Sequence, residues 1–272
     1  MIDGKTLVCG LIGDPVEHTL SPVIHNTLAQ ETGENLVYVP FPVKAERVED
    51  AVRGARALSV GGLNVTVPHK SAVIPYLSSV EREAELIGAV NTLVPEGDGY
   101  RGYNTDLTGL GRALLSEGIS LEGERVILLG AGGAARAAVF LCVLRGAKEV
   151  WLLNRTTEKA EALAGEANRA AGRECVKPLA LSDWRRIPEG SYLAVQCTKA
   201  GLFPDTESAP IEEPDFYKRI HTGYDLVYRP ARTKFMRLTE EAGGKAFNGL
   251  KMLLYQGIGA YELWTGVTVT EE

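Results

Sequence analysis

The sequence predicts an α/β fold of two lobes with a cleft between them, one lobe mixed α/β and the other built on a Rossmann-type parallel sheet. Three observations carry this expectation. The 272 residues suffice for two cores, since single domains usually run to about 100 to 200 residues. Short apolar, β-prone runs alternate with helix-like segments over the first part of the chain, the pattern of an α/β layer. Finally, a glycine-rich turn, GAGGAA at 130–135, separates the apolar run RVILL (125–129) from the helical composition of ARAAVFLCVLR (135–145), and a second run, EVWLL (149–153), follows. That is strand, turn, helix and strand within about 30 residues.

Taken in order, LVCGLIG (7–13) reads as the first strand. Ser21 and Pro22 supply an N-cap and a first-turn proline for a helix to about Glu31, whose Ile24 and Leu28, four apart, share a face. Further strands are expected at 36–40, 60–65, 90–94 and 99–103, with helices at 45–56 and 79–87. After Asp106, the spacing of Leu107, Leu110 and Leu114 predicts a helix that ends near Gly118 and serves as a hinge element between lobes. Runs at 191–196 and 223–227 continue the parallel sheet, and Gly243-Gly244 ends a helix that follows Pro230. The last segment, GLKMLLYQGIGAYELW (249–264), is a helix whose apolar face needs a lobe to bury it, and it is assigned to the first. The expected lobes are therefore 1–106 plus 246–272, and 107–245.

Composition narrows the function classes. With 45% hydrophobic and 24% charged residues the chain reads as an ordinary globular protein, and a formal charge of -6 argues against a nucleic-acid footprint. The start of the chain has acidic residues on both sides of a short apolar run, unlike a signal peptide or a membrane span, so no membrane partner and a cytoplasmic location are expected. Cys9, Cys142, Cys175 and Cys197 show no CxxC spacing, and His18, His25, His69 and His221 show no HExxH; reduced thiols and no metal are expected. The partner is a small molecule, and the chain is expected as a monomer or homodimer.

Gly130, Gly132 and Ala135 satisfy G-x-G-x-x-G/A at the junction of strand and helix, with Ala131, Gly133 and Ala134 completing the turn. The first glycine allows the tight turn, the second lets backbone approach a pyrophosphate, and the helix N-terminus offers free N–H groups to the anion. A glycine-rich turn without a ligand is the plainer alternative, and the context of strand and helix favours the dinucleotide. The second strand ends in Asn154-Arg155-Thr156, where an NAD enzyme usually places an acidic residue for the ribose 2'-OH. Arg155 can pair with a 2'-phosphate, and Asn154 and Thr156 can add neutral hydrogen bonds, so NADP(H) is the expected cofactor.

Lys70 closes GGLNVTVPHK (61–70) and Asp106 closes GYNTD (102–106). Hydride addition to a ketone generates an alkoxide that must be protonated, which an ammonium within hydrogen-bond reach does well. Lys70 is the candidate donor, and Asp106 the group that orients it. The plain alternatives are a solvated loop lysine and an Asp that caps the helix at 107–117; both roles stay open for Asp106 at this point.

Together the motifs resemble one family, shikimate dehydrogenase, the NADP-dependent enzymes that interconvert 3-dehydroshikimate and shikimate. The resemblance spans nearly the whole chain: GLIGDPVEHTLSPVIHN (10–26), GLNVTVPHK (62–70), GAVNTL (88–93), GYNTD (102–106), GAGGAARA (130–137), NRT (154–156), YDLVYRPART (224–233) and GLKMLLYQG (249–257) occur in the family's order. It implies a substrate-binding lobe completed by the C-terminal helix, a Rossmann NADP-binding lobe, and a role in aromatic amino acid biosynthesis. It implies further that Lys70 and Asp106 are the catalytic pair, that Thr66, Asn91, Asp106 and Gln256 hold ring hydroxyls, and that Thr19, Ser21 and Tyr228 hold the carboxylate. Leu226 and Gly249 are placed near the nicotinamide. Simpler roles compete: a cap for Ser21, packing for Tyr228, and satisfaction of buried backbone for the amides of Asn91 and Gln256. The chain departs from the family pattern at Thr19, where Ser is usual, and at Gln196, Lys199 and Leu202. A quinate/shikimate dehydrogenase working oxidatively and a non-catalytic NADPH-binding sensor are the rival readings. A related amino acid or folate dehydrogenase explains neither LSP at 20–22 nor YDLVYRP.

Overall fold

A computed structural model describes residues 2–270. The chain divides into two compact units, one running to Gly109 and resuming at Leu254, the other Leu110–Leu253. Elements follow in the order β1 (Leu7–Gly13), α1 (Ser21–Thr32), β2 (Leu36–Pro42), α2 (Val48–Ala57), β3 (Gly62–Val65), β4 (Ser79–Val80), α3 (Arg82–Ile87), β5 (Thr92–Glu96), β6 (Gly99–Tyr103) and α4 (Thr105–Ser116). Then come β7 (Arg125–Leu129), α5 (Gly133–Leu144), β8 (Glu149–Asn154), α6 (Thr157–Ala171), β9 (Val176–Ala180), β10 (Tyr192–Gln196), α7 (Pro214–Tyr217), β11 (Ile220–Asp225), α8 (Lys234–Glu241), β12 (Lys245–Phe247) and α9 (Leu250–Thr265).

In the first unit the sheet order is β2-β1-β3-β5-β6-β4. It is mixed: β1 runs parallel to β2 and β3, whereas β5 is antiparallel to both β3 and β6. Successive residues of a strand face opposite sides, and β1 shows it. Ile12 joins a cluster with Val48 and Val52 of α2, while Cys9 and Leu11 join Tyr38, Ala29 of α1 and Tyr261 of α9. A Cβ on Gly62 would fall 2.2 Å from the Trp264 ring, so the missing side chain is what lets α9 lie on β3. Trp264 then donates to the Leu93 carbonyl at 3.0 Å.

Two local expectations need correction. Ser21 is not the N-cap of α1: that position is Leu20, which makes no side-chain cap, while Pro22 does sit in the first turn. The Ser21 hydroxyl accepts instead from Thr19. The helix expected over 79–87 begins only at Arg82, because Ser79 and Val80 pair with β6 as an edge strand and Glu81 caps the helix, its carboxylate accepting from the Glu83 and Ala84 N–H groups.

In the second unit all strands are parallel, in the order β12-β11-β10-β7-β8-β9. The chain leaves β7 in one direction through β8 and β9, then returns to the other side of β7 for β10, β11 and β12. This is a doubly wound order with its switch point between β7 and β10, and such sheets bind ligands there, outside the carboxyl ends of the strands. Two elements of this unit carried no clear sequence signal. The buried stripe of α6 is mostly alanine, Ala160, Leu163, Ala164 and Ala167, too weakly apolar to stand out by periodicity, and β9 contains Pro178 at the sheet edge. Among the described residues no helix is long and apolar enough to cross a membrane, and no group of three or more His, Cys, Asp or Glu is placed to hold a metal ion.

Candidate active site

In the first unit the chain after β3 makes a tight, anchored turn. The Thr66 N–H donates to the Ile12 carbonyl, the His69 N–H to the Thr66 carbonyl, and the Val90 N–H to the Lys70 carbonyl. His69 is fully buried, with Nε2 2.7 Å from the Val43 carbonyl oxygen. Lys70 is thus held on a backbone pinned to three neighbouring segments. Its ammonium donates to Asp106 Oδ2 at 2.5 Å, and Asn91 Nδ2 donates to Asp106 Oδ1 at 2.9 Å.

The structure separates the two readings of Asp106. Asn104 precedes the first residue of α4, and its Oδ1 accepts from the Leu107 N–H at 3.2 Å, so the side-chain cap belongs to Asn104. Asp106 lies in the first turn, where a negative charge is favoured by the helix dipole, and both its oxygens serve Lys70 and Asn91. The lysine and aspartate side chains retain 27% and 15% exposure, enough for a small molecule to reach the pair.

The other residues of this unit singled out by the sequence have the following surroundings. Thr19 and Ser21 have their hydroxyls 3.1 Å apart, and Thr19 Oγ1 also accepts from the Ser21 N–H. Thr66 opens the turn that ends at Lys70, and its methyl occupies the space a Cβ on Gly13 would need. Gln256 is positioned by a glycine the sequence reading did not single out. A Cβ on Gly109 would meet the Gln256 backbone nitrogen at 2.6 Å, so α9 crosses α4 one turn beyond Asp106 and on the same face.

In the second unit a cavity of about 910 Å³ opens at the carboxyl ends of β7, β8, β10 and β11. Its walls are the 130–134 turn, Asn154 and Arg155, the 197–200 loop, and Leu226 to Tyr228. Gly130 has φ 112°, a conformation only glycine adopts without strain. Cβ atoms built on Gly132 and Gly133 meet nothing within 4 Å, so the turn is smooth on its open side where α5 presents its N-terminal N–H groups. A dinucleotide fits this cradle: its phosphates can approach the bare backbone, and Arg155 offers a guanidinium on the same wall. Thr156 does not line the cavity; it precedes α6, and its carbonyl accepts from Asn154 Nδ2 at 2.8 Å, fixing the strand end. Gly249 does not line the cavity; it lies behind Leu226, whose carbonyl oxygen would be 2.2 Å from a Cβ at position 249. Tyr228 also lines this cavity.

A buried hub beneath that cavity escaped the sequence reading. Asp225 is fully buried, and its carboxylate accepts from the Thr233 hydroxyl at 2.6 Å, the Val227 N–H at 2.9 Å and Gln196 Nε2 at 3.2 Å. Burial pushes its carboxyl up to about 6 against the opposing pull of those donors. Gln196 in turn accepts from the Thr198 N–H and donates to the Ala200 carbonyl. The two loops that wall the cavity are therefore tied to one carboxylate. An acidic residue inside the apolar run GYDLVY was the available signal.

Comparison with known proteins agrees with this architecture. A model of the shikimate dehydrogenase substrate binding domain matches residues 11–93, one of shikimate / quinate 5-dehydrogenase matches 113–188, and one of the shikimate 5'-dehydrogenase C-terminal domain matches 249–271. The curated shikimate dehydrogenase (NADP(+)) of Methanothermobacter thermautotrophicus is 43% identical over 270 residues, covering 98% of this chain and 93% of that protein. The crystal structure of shikimate 5-dehydrogenase from Listeria monocytogenes in complex with shikimate and NAD aligns with a TM-score of 0.91 at 33% identity, covering 98% of this chain and 94% of that one. The enzyme from Thermus thermophilus in complex with NADP(H) and shikimate aligns with a TM-score of 0.85 at 34% identity, covering 97% and 95%. Identity at this level along nearly the full length of both chains, over the same two kinds of sheet, places the protein: it belongs to the shikimate dehydrogenase family.

Proposed function

We propose that the protein catalyses the NADP(H)-dependent interconversion of 3-dehydroshikimate and shikimate, a step in aromatic amino acid biosynthesis. The observation that carries this reading is the Lys70–Asp106 pair at 2.5 Å, with Asn91 on the second carboxylate oxygen, in the unit matched by the substrate-binding family model. Substrate binding is assigned to the unit that ends at Gly109 and resumes at Leu254, and dinucleotide binding to Leu110–Leu253. The NADP(+) names of the relatives and Arg155 on the cavity wall support the cofactor.

When bound, NADPH supplies the hydride that reduces the ketone carbon. Lys70 Nζ gives a proton to the oxygen that becomes the alcohol, and its partial exposure lets solvent restore that proton. Asp106 holds the ammonium in place and accepts from a ring hydroxyl. Asn91 has one amide hydrogen on Asp106 and one left for substrate. Thr66 and Gln256 are assigned to ring hydroxyls, and Thr19 and Ser21 to the carboxylate; for Tyr228 the carboxylate assignment rests on the resemblance alone. Leu226 and Gly249 are assigned to the nicotinamide end of the cofactor.

Steady-state rates with shikimate and quinate, each with NADP+ and NAD+, test this reading. Shikimate with NADP+ is expected to give the highest kcat/KM. A higher value for quinate with NAD+ would make the protein a quinate dehydrogenase instead, and no turnover of either acid would leave only a dinucleotide-binding role.

A further inference from the structure

The Lys70–Asp106 pair is one end of a longer chain of hydrogen bonds whose direction is set by which atoms can donate. At the far end, the Tyr38 hydroxyl, its ring stacked on His25 at 4.3 Å between centroids, donates to Asn64 Oδ1 at 2.7 Å. An amide that accepts through its oxygen presents its NH2 on the other side. Asn64 Nδ2 accordingly donates to the Asn91 carbonyl and to Thr92 Oγ1, both at 3.1 Å. Having accepted, Thr92 has its single proton for Asn91 Oδ1 at 3.0 Å or for Thr105 Oγ1 at 3.1 Å; the Thr105 hydroxyl and N–H donate to that same Asn91 oxygen at 3.1 and 2.7 Å, so by either route the chain ends on it.

The Asn91 amide cannot turn over, because its NH2 would then face the Thr105 N–H. Its nitrogen is therefore committed to Asp106 Oδ1, and Asp106 to accepting through both oxygens. Tyr38, Asn64, Asn91, Thr92 and Thr105 are each at most 5% exposed, so water does not compete for these bonds, and in a buried network the loss of one donor is felt at the next.

We propose that Thr92, with Asn64 and Tyr38 behind it, is a positioning residue for the proton-transfer pair: it touches no substrate, and its hydroxyl adds to the hold of the Thr105 N–H on the Asn91 amide oxygen, fixing where the amide nitrogen meets Asp106 under Lys70. This rests on the assignment of Lys70 and Asp106 made above. It gives Thr92 a role distinct from strand packing, because what matters is the hydroxyl and not the volume.

The test uses the full-length enzyme and compares Thr92→Val, which keeps the shape, with Thr92→Ser, which keeps the hydroxyl, and with Lys70→Ala. Thr92→Val should lower kcat by about fivefold to tenfold, the worth of one hydrogen bond to a polar partner, with the KM for NADPH unchanged. Thr92→Ser should keep kcat close to that of the parent. If Thr92→Val does not fold, as judged by its unfolding transition, Tyr38→Phe carries the test and should lower kcat by a smaller factor, again with the NADPH KM unchanged. A parental kcat in the valine variant, or in Tyr38→Phe where that variant stands in for it, overturns the proposal, as does a Thr92→Ser enzyme as slow as Thr92→Val. Should Lys70→Ala collapse the rate while Thr92→Val does not, the positioning role alone fails; should Lys70→Ala keep its rate, the assignment of the pair fails first.

Discussion

The two units build their sites by opposite means. In the first, the proposed chemistry rests on side chains, Lys70, Asp106 and Asn91, joined to one another by partly buried hydrogen bonds, with the Asn91 oxygen held by a buried one. In the second, the cradle is made by backbone and by missing side chains: the open faces of Gly132 and Gly133 and the turn at Gly130. A site of the first kind is damaged by removing a polar atom. One of the second kind is damaged by adding a carbon. The largest effect should therefore come from the first unit: Lys70→Ala is expected to lower kcat by at least about 100-fold, the usual scale of a general acid, with a smaller change in KM. Steady-state kinetics would show it, and an unchanged kcat would remove Lys70 from the chemistry.

The units also place buried titratable groups of opposite character. In the first, burial pushes the His25 imidazole down to about 4 from 6.5. The unfolded chain binds the proton more readily, so this contribution to stability is complete above pH 6.5 and is lost as pH falls toward 4. In the second, burial raises Asp225 to about 6 from 3.8. Here the native state binds the proton more readily, so stability is greatest below pH 3.8 and declines as pH rises through 6. Each shift corresponds to about 3 kcal/mol. Urea unfolding between pH 4.5 and 7.5 should show His25→Phe gaining on the parent toward acid and Asp225→Asn gaining toward neutral. A pH-independent difference for either variant would contradict the corresponding assignment.

A third comparison isolates the cofactor wall. Arg155→Ala should weaken NADPH by about tenfold or more, since a charged hydrogen bond is worth about 1.5 to 3 kcal/mol, and should spare NADH. Calorimetric titration with each cofactor decides it, and equal losses would reject the 2'-phosphate assignment.

How much of each site was legible follows from the same contrast. The cradle is local: a glycine turn between an apolar strand and a helix can be read within a dozen residues, and Arg155 follows at the next strand end. The Lys70–Asp106 pair joins residues 36 apart in sequence, which no local rule connects; the ordered motifs of the family brought them together. Whether Asp106 capped α4 was open until Asn104 took that place. Asn64 and Thr92 were invisible because each reads as an ordinary strand residue, and their value lies in the direction of their hydrogen bonds. Gly109 passed unnoticed for a related reason: its close approach to α9 exists only in three dimensions.

The finest test of the contrast lies within the glycines themselves. Gly132 has φ −90° and ψ −170°, which alanine adopts freely, and a Cβ there meets no protein atom within 4 Å. By the protein's own contacts Gly132→Ala should be stabilising, by about 0.4 to 1 kcal/mol, because the unfolded chain loses freedom. The added methyl nevertheless stands where a pyrophosphate would approach, so NADPH should bind about fivefold more weakly, equivalent to about 1 kcal/mol. Gly249→Ala should instead destabilise the fold, since its methyl would press on the Leu226 carbonyl. Melting and NADPH titration of both variants separate the two kinds of glycine. A rise in stability without a loss of affinity at position 132 would mean that the cofactor's phosphates do not rest on that turn.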